Sequence, residues 1–520
     1  MIRLLKHRLM VSSFWLVIVF WFAGYSLASE SDEGRSGRPN IIIILADDLG
    51  YGDIGAYNQA SQTFLQTPHI DKLAESGAQF NAGYVAAAVC SPSRAALMTG
   101  RYPQRYGYHF NDNSRQGLPL NEKTIAERLK EVGYRTGLVG KWQLGWSADQ
   151  KPNQRGFDYF FGMRSGTIYI PPETDGVETW LPRGEGFAGN LSVFRAGTEI
   201  VIGQSLTNRS KSPLYRNDKE VLDSGYLTET LTSEAKRFIE RNQDQPFFLY
   251  LAHYAPHAPL QATKKYLDSF ADVKPLQRKI YLSMVKAVDD SVGTILTTVR
   301  DLGLAENTLT IFLSDNGCAK YLRGGCQNVP YSGGKRYHLE GGIRVPYVMH
   351  WPQTIPAARH DDMVSSLDIL PTVMRASGIK EDLEDSLDGL DLMDYLAGTG
   401  NSMVREALFW RAGPNRAVRY DKWKLWKVNR TSKELASATP NGGLIKRLSS
   451  EGSPFGQETF LYDLSLDESE RTNVADKFPS IVTKLERMLS EWDEQMQDPT
   501  VKSRRSTATF IEGSPVELIF

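Results

Sequence analysis

The sequence predicts an α/β fold: a large, mostly parallel sheet flanked by helices, plus a small C-terminal antiparallel sheet with a packed helix. Three observations carry this. Apolar, β-branched runs at residues 41–45, 137–140, 247–251 and 309–313 read as short strands buried on both faces. Helical patterns at 68–76, 122–132, 226–242 and 277–302 alternate with them, as in a parallel sheet with crossover helices. From about residue 404 the character changes. Short strands at 407–410, 416–420, 423–427 and 460–462 are followed by an amphipathic helix at 480–496.

The elements follow in order. Arg3, Lys6 and Arg8 precede an apolar stretch at 14–23, and Ser26-Leu27-Ala28 has a small-x-small pattern. Residues 1–28 therefore read as a secretory signal peptide, with Gly24, Ser26 and Ser29 arguing against a retained anchor. The expected product is exported, periplasmic or secreted, with no stable membrane span after cleavage. Residues 29–39 form a polar, flexible lead-in, 40–403 the main domain and 404–520 a C-terminal subdomain. Within the main domain, 163–225 is rich in Gly, Pro, Tyr and Arg without periodicity, and reads as a long functional insertion. With 60 Lys plus Arg against 61 Asp plus Glu, no bulk field points to nucleic acid.

Chemistry concentrates at strand ends. Asp47-Asp48 follows the first strand and Asp315-Asn316-Gly317 the fourth, which is where open α/β sheets place ligand sites. Three carboxylates and an amide oxygen make an all-oxygen set that suits Ca²⁺, or Mg²⁺, better than zinc. Cys90 is one of three cysteines. It precedes Pro92, a residue suited to a first helical turn, with Ser91 as expected N-cap and Gly100 as stop. A helix N-terminus and Arg94 one turn in fit an anion site or a low-pKa thiol. Cys318 and Cys326 read equally well as a small-loop disulfide or as two unpaired thiols.

The run Cys90-Ser91-Pro92-Ser93-Arg94-Ala95-Ala96-Leu97-Met98-Thr99-Gly100-Arg101 resembles the signature of the type I sulfatases, formylglycine-dependent members of the alkaline phosphatase superfamily. Companion motifs resemble the same family: Gly140-Lys141-Trp142-Gln143-Leu144-Gly145, Leu251 to Pro259, Ser332 to Lys335 and Glu340 to Pro346. So does the C-terminal run Leu461-Tyr462-Asp463-Leu464 with Asp467, Glu470 and Asn473. The resemblance implies hydrolysis of sulfate monoesters, with Cys90 converted to formylglycine by a formylglycine-generating enzyme. It implies a divalent cation, Ca²⁺ first, held by Asp47, Asp48, Asp315, Asn316 and the modified residue 90. It assigns Arg94, Lys141 and Lys335 to the sulfuryl oxygens and His257 to the leaving alcohol, with His253 the weaker acid candidate. Arg344 reads as structural, and the glycines near Lys335 as room for a ligand.

The chain departs from the family at Gln143, where the motif has histidine. Glutamine hydrogen-bonds but accepts no proton near neutral pH. Either Lys141, His109 or water takes over, or regeneration is slow after an initial burst of alcohol. For the substrate, Gln143, His109 and Arg164 are expected to bind, with Arg115, Tyr169, Trp180, Arg183 and Arg195 beside them. A sulfated carbohydrate is the expected substrate. A formylglycine phosphodiesterase or phosphonate monoester hydrolase, and a non-catalytic sulfated-glycan binder, are the competing readings.

Overall fold

A computed structural model describes residues 37–58, 64–164, 177–180, 214–221, 225–380, 387–399, 405–438, 444–446, 453–503 and 505–520. The expected signal peptide and most of the 163–225 insertion, including Tyr169, Arg183 and Arg195, lie outside these residues. No helix among the described residues is long and apolar enough to cross a membrane.

Strand Asn40–Ala46 carries four consecutive isoleucines and is buried throughout, as a strand covered on both faces requires. It runs parallel to Thr308–Ser314 on one side and Phe247–Ala252 on the other. Arg135–Lys141 and Tyr159–Met163 extend the parallel run. The sheet has ten strands. At one end of the parallel run, antiparallel Tyr347–His350 adds to Thr308–Ser314, followed by Ala78–Phe80 and Ala358–His360. At the other end come Leu214–Arg216 and Lys219–Val221. The sheet is therefore mixed and mostly parallel.

Alternation of side chains divides the core in two. Ile42, Ile44, Leu249 and Leu251 pack under helices Leu227–Arg241 and Leu276–Asp301. Ile41, Ile43, Phe248 and Tyr250 pack on the opposite face with Ala95, Leu97 and Met98 of helix Cys90–Thr99. Burying each isoleucine contributes about 1.5–3 kcal/mol, so a charge at Ile43 would break the layer.

Helix Ile125–Glu131 starts later than its periodicity predicts, because Thr124 and Glu127 form a reciprocal capping box there. The second sheet has seven strands. Trp423–Arg430 pairs antiparallel with Asn415–Tyr420, Gln457–Asp463 and Ser514–Ile519. Helix Pro479–Asp493 lays Leu485, Leu489 and Trp492 on Val418, Leu425 and Leu461. A buried cluster joins the two sheets' surroundings. Lys424 lies 2.9 Å from Glu340 and 3.4 Å from Glu470, whose carboxylate accepts from the Glu340 N–H at 2.6 Å.

Candidate active site

Register assembles the site. Ala46 lies opposite Ser314, so Asp47-Asp48 and Asp315-Asn316 leave neighbouring strands side by side. The Asp48 N–H donates to Asp315 Oδ1 at 3.2 Å, and Asp48 itself takes a left-handed φ of 61°. Lys141 ends Arg135–Lys141, and His257 follows Phe247–Ala252. Gly140 makes this possible. Its φ is 117°, and a Cβ there would lie 1.9 Å from the Ala252 carbonyl oxygen.

Cys90 is the first residue of helix Cys90–Thr99, with Val89 in the capping position. Ser91 is not the expected N-cap. Its hydroxyl lies 2.6 Å from the Tyr108 hydroxyl and donates to the Gln143 carbonyl at 2.9 Å. Gly100 does close the helix, at φ 65°. The Cys90 Sγ is buried, 3.6 Å from Asp47 Oδ1 and 3.9 Å from Asp48 Oδ1.

Arg94 bridges the acids from within. Its Nε donates to Asp315 Oδ2 at 3.0 Å, one Nη to Asp47 Oδ2 at 3.2 Å and the other to the Lys141 carbonyl at 3.1 Å. Lys141 Nζ bonds Asp47 Oδ2, and Lys335 Nζ stands 2.9 Å from Asp48 Oδ2. His257 Nε2 is 3.4 Å from Asp48 Oδ2. Three carboxylates thus face three fixed cations, and the buried charges balance.

Burial raises the Asp47 carboxyl, but Lys141, His257 and Arg94 outweigh it and hold its pKa below the usual range. Asp48 is held down likewise, chiefly by Lys335 against its own burial. Asp315 goes the other way, up to about 6, through burial and then Asp47. Burial, then Lys335, lowers His257 to about 4. Its Nδ1 lies 2.5 Å from the Ala258 carbonyl, which only accepts, so that nitrogen carries a proton and Nε2 faces the acids. Burial, then Asp315 and Asp47, pushes the Cys90 thiol up, the reverse of a low-pKa nucleophile.

The donors suit a hard cation. Ligand atoms of Asp47, Asp48, Cys90 and His257 lie within 4.8 Å of one another. Asn316 donates through Nδ2 to Asp48 Oδ1 at 2.7 Å, while its Oδ1 is buried without a hydrogen-bond partner. An orphaned amide oxygen beside three carboxylates is the acceptor a cation satisfies. Asp315 is more occupied than the sequence suggests, with Oδ2 on Arg94 and Oδ1 on the Asp48 N–H.

Some expected residues stand elsewhere. His109 does not reach the site. Its Nε2 lies 2.9 Å from the Gln497 carbonyl, and the Gly413 N–H points to its Nδ1 at 3.4 Å. Both nitrogens are committed to the C-terminal segment, so neither is free to take the proton that Gln143 cannot accept. His253 Nε2 pairs with Ser291 Oγ at 2.9 Å, behind the site. Arg164 sits at the start of the insertion, donating to the Asn217 carbonyl and Asp218 at 3.2 Å and covering Tyr215. Arg344 pairs with Glu340 at 3.2 Å. The glycines near Lys335 also allow close backbone packing: a Cβ on Gly342 would lie 2.0 Å from the Tyr337 carbonyl oxygen. Cys318 and Cys326 are disulfide-bonded.

Gln143 lies beside the nucleophile position, where its carbonyl accepts from the hydroxyl of Ser91, the residue after Cys90. It has a φ of 62°, and its buried Oε1 has no partner. Three tyrosines escaped the sequence reading. Tyr321 donates to Asp48 Oδ2 at 3.3 Å, Tyr281 to the Asp48 carbonyl at 3.1 Å, and Tyr254 lies 3.2 Å from His257 Nδ1. Only Tyr254, inside the histidine motif, had a signal in the sequence.

The chain is similar to known proteins over most of its length. Residues 39–379 match the Sulfatase family, and the chain belongs to that family of sulfuric ester hydrolases. Human arylsulfatase A is 34% identical over 480 residues, covering 86% of this chain and 87% of its own. The solved structure of Ps i-CgsB with k-i-k-neocarrahexaose superposes with a TM-score of 0.73 at 33% identity, covering 89% of this chain and 94% of that one. The phosphonate monoester hydrolase of Agrobacterium radiobacter shares the fold, with a TM-score of 0.60 at 20% identity.

Proposed function

We propose that this sulfatase hydrolyses sulfate monoesters on a sulfated carbohydrate, using formylglycine made from Cys90 and a bound divalent cation, Ca²⁺ first. The observation that carries this reading is the buried Cys90, flanked by Asp47, Asp48 and Arg94, with a thiol pushed away from ionisation. A thiol in that setting is a poor nucleophile, whereas a hydrated aldehyde at residue 90 supplies a hydroxyl to attack sulfur. Asp47, Asp48, Asn316 and Asp315 would hold the cation, which supplies Lewis-acid stabilisation of oxygen charge when bound.

The chain's own groups do the rest. Arg94 fixes the acids and adds charge at the sulfuryl end. Lys141 and Lys335 each carry three N–H donors, leaving donors for sulfuryl oxygens beyond their bonds to Asp47 and Asp48. Charge growing on those oxygens is stabilised by groups already in place. His257 is neutral in the free site, and an anionic ester favours its imidazolium, which holds the proton for the leaving alcohol at Nε2.

Carbohydrate as substrate is supported by Ps i-CgsB, solved with a neocarrahexaose, and by the N-acetylgalactosamine-6-sulfatases at 33–34% identity. Export is supported by the Cys318–Cys326 bond, which persists in oxidising compartments. The test is sulfate release across sulfated glycans and an aryl sulfate, beside an aryl phosphonate ester. Release by the native protein and none by Cys90→Ala supports the reading. Preferential phosphonate turnover overturns it, as does glycan binding without release of sulfate.

A further inference from the structure

We propose that Trp146 and Arg115 form a glycan subsite at the lip of the active site, which stacks a sugar ring neighbouring the one that carries the scissile ester and reads an anionic group on it. The inference rests on the sulfatase reading and extends it to the substrate's size and charge.

Trp146 is 45% exposed, whereas Trp142, Trp410 and Trp426 are fully buried. It follows Gln143 by three residues, so at most about 11 Å of chain separates it from the residue whose carbonyl Ser91 holds beside Cys90. The Arg115 guanidinium sits 5.7 Å from the indole centroid, and Arg115 is itself exposed. Among the described residues Arg115 has no carboxylate within ion-pair reach, whereas Arg94, Arg101, Arg105 and Arg155 nearby in sequence are all paired. An exposed indole edged by an unspent guanidinium fits a pyranose face bearing a sulfate or carboxylate.

The platform is built onto the catalytic elements. The Leu118 N–H donates to the Leu144 carbonyl at 2.8 Å, and Gln150 Nε2 to the Gln116 carbonyl at 2.6 Å. Trp142 Nε1 anchors the same turn on the Gln150 carbonyl at 2.9 Å. The other side is tied to Cys90's helix, where Asn111 Oδ1 accepts from the Ser91 N–H at 2.9 Å. The Ser91 hydroxyl in turn holds the Gln143 carbonyl. Both segments are thus clamped to residues next to the nucleophile position, so a ring held by Trp146 is held in register with it. A monoaryl sulfate is too short to use the platform, and an oligosaccharide is long enough.

The experiment measures binding of k-i-k-neocarrahexaose and of chondroitin 6-sulfate and heparan sulfate oligosaccharides to the native full chain by calorimetry. Trp146→Ala, Trp146→Phe and Arg115→Ala are compared, alongside turnover of 4-nitrophenyl sulfate. The expected result is binding of at least one oligosaccharide, weakened about tenfold by Trp146→Ala and by Arg115→Ala and largely restored in Trp146→Phe. The ratio of glycan to aryl sulfate kcat/KM should fall by the same factor. Equal binding by native and variant proteins overturns the subsite, and so does binding of none of the oligosaccharides. Failure of the native protein to cleave 4-nitrophenyl sulfate counts against the sulfatase reading instead, and the binding comparison still decides the subsite.

Discussion

Replacing Arg94 with Met probes the joint on which the site's charge balance depends. The guanidinium is fully buried and donates to Asp315 Oδ2, Asp47 Oδ2 and the Lys141 carbonyl. Methionine fills most of the volume and supplies none of these bonds. Asp315, already raised to about 6 by burial and Asp47, loses its nearest cation and takes a proton at neutral pH. Breaking a buried pair costs about 3–5 kcal/mol, and protonation of Asp315 places the loss at the lower end. Catalysis should suffer more than folding, because both the proposed cation ligands and the proposed sulfuryl end lose a fixed charge. Removing one such stabilising group lowers kcat by about 10²–10³-fold. Arg94→Lys should recover little, since one ammonium cannot replace a planar fork across two carboxylates. Sulfate release from an aryl sulfate and urea unfolding of the same preparations provide the assay. Native-like kcat in folded Arg94→Met would refute the reasoning.

Other outcomes follow from single contacts. His109 is lowered to about 3, first by burial and then by Arg411, against an ordinary 6.5. The unfolded chain therefore binds a proton that the folded chain refuses, and stability falls as pH drops from 6.5 towards 3, by about 1.4 kcal/mol per pH unit. His109→Gln should flatten that slope in urea unfolding, with activity at neutral pH retained. Removing the Cys318–Cys326 bond, with a separation of 8, by a double alanine substitution should cost about 2–3 kcal/mol, read by the same unfolding measurement. With Gln143 unable to take a proton, both His109 nitrogens bonded elsewhere and Lys141 held as an ammonium donor to Asp47, water is left as the acceptor and regeneration should lag. A rapid-mixing experiment should show a burst of alcohol followed by slow turnover, and a linear course from the first turnover counts against this.

Much of this was legible because strand and ligand signals coincide. Isoleucine runs announce doubly covered strands, and acidic pairs at their ends mark the binding edge. Neighbouring register does the rest: Asp48 meets Asp315 because Asn40–Ala46 pairs with Thr308–Ser314. What stayed hidden depends on partners far along the chain. His109 is withdrawn by Gln497, 388 residues away, and no local pattern signals that. Tyr321 reaches Asp48 across 273 residues. The strands Ala78–Phe80, Ser514–Ile519 and Arg505–Ile511 were missed because short or mixed-polarity strands are fixed by their neighbours more than by their own pattern. The disulfide could not be chosen over free thiols, since pairing is a matter of geometry.

The central claim is that residue 90 acts as an aldehyde and not as a thiol. Its most direct test plots sulfate release per molecule against the fraction of residue 90 in the aldehyde form, measured by peptide mass in preparations made with and without a formylglycine-generating enzyme. The account predicts a straight line through the origin. Full sulfate release from protein that retains the Cys90 thiol would contradict it.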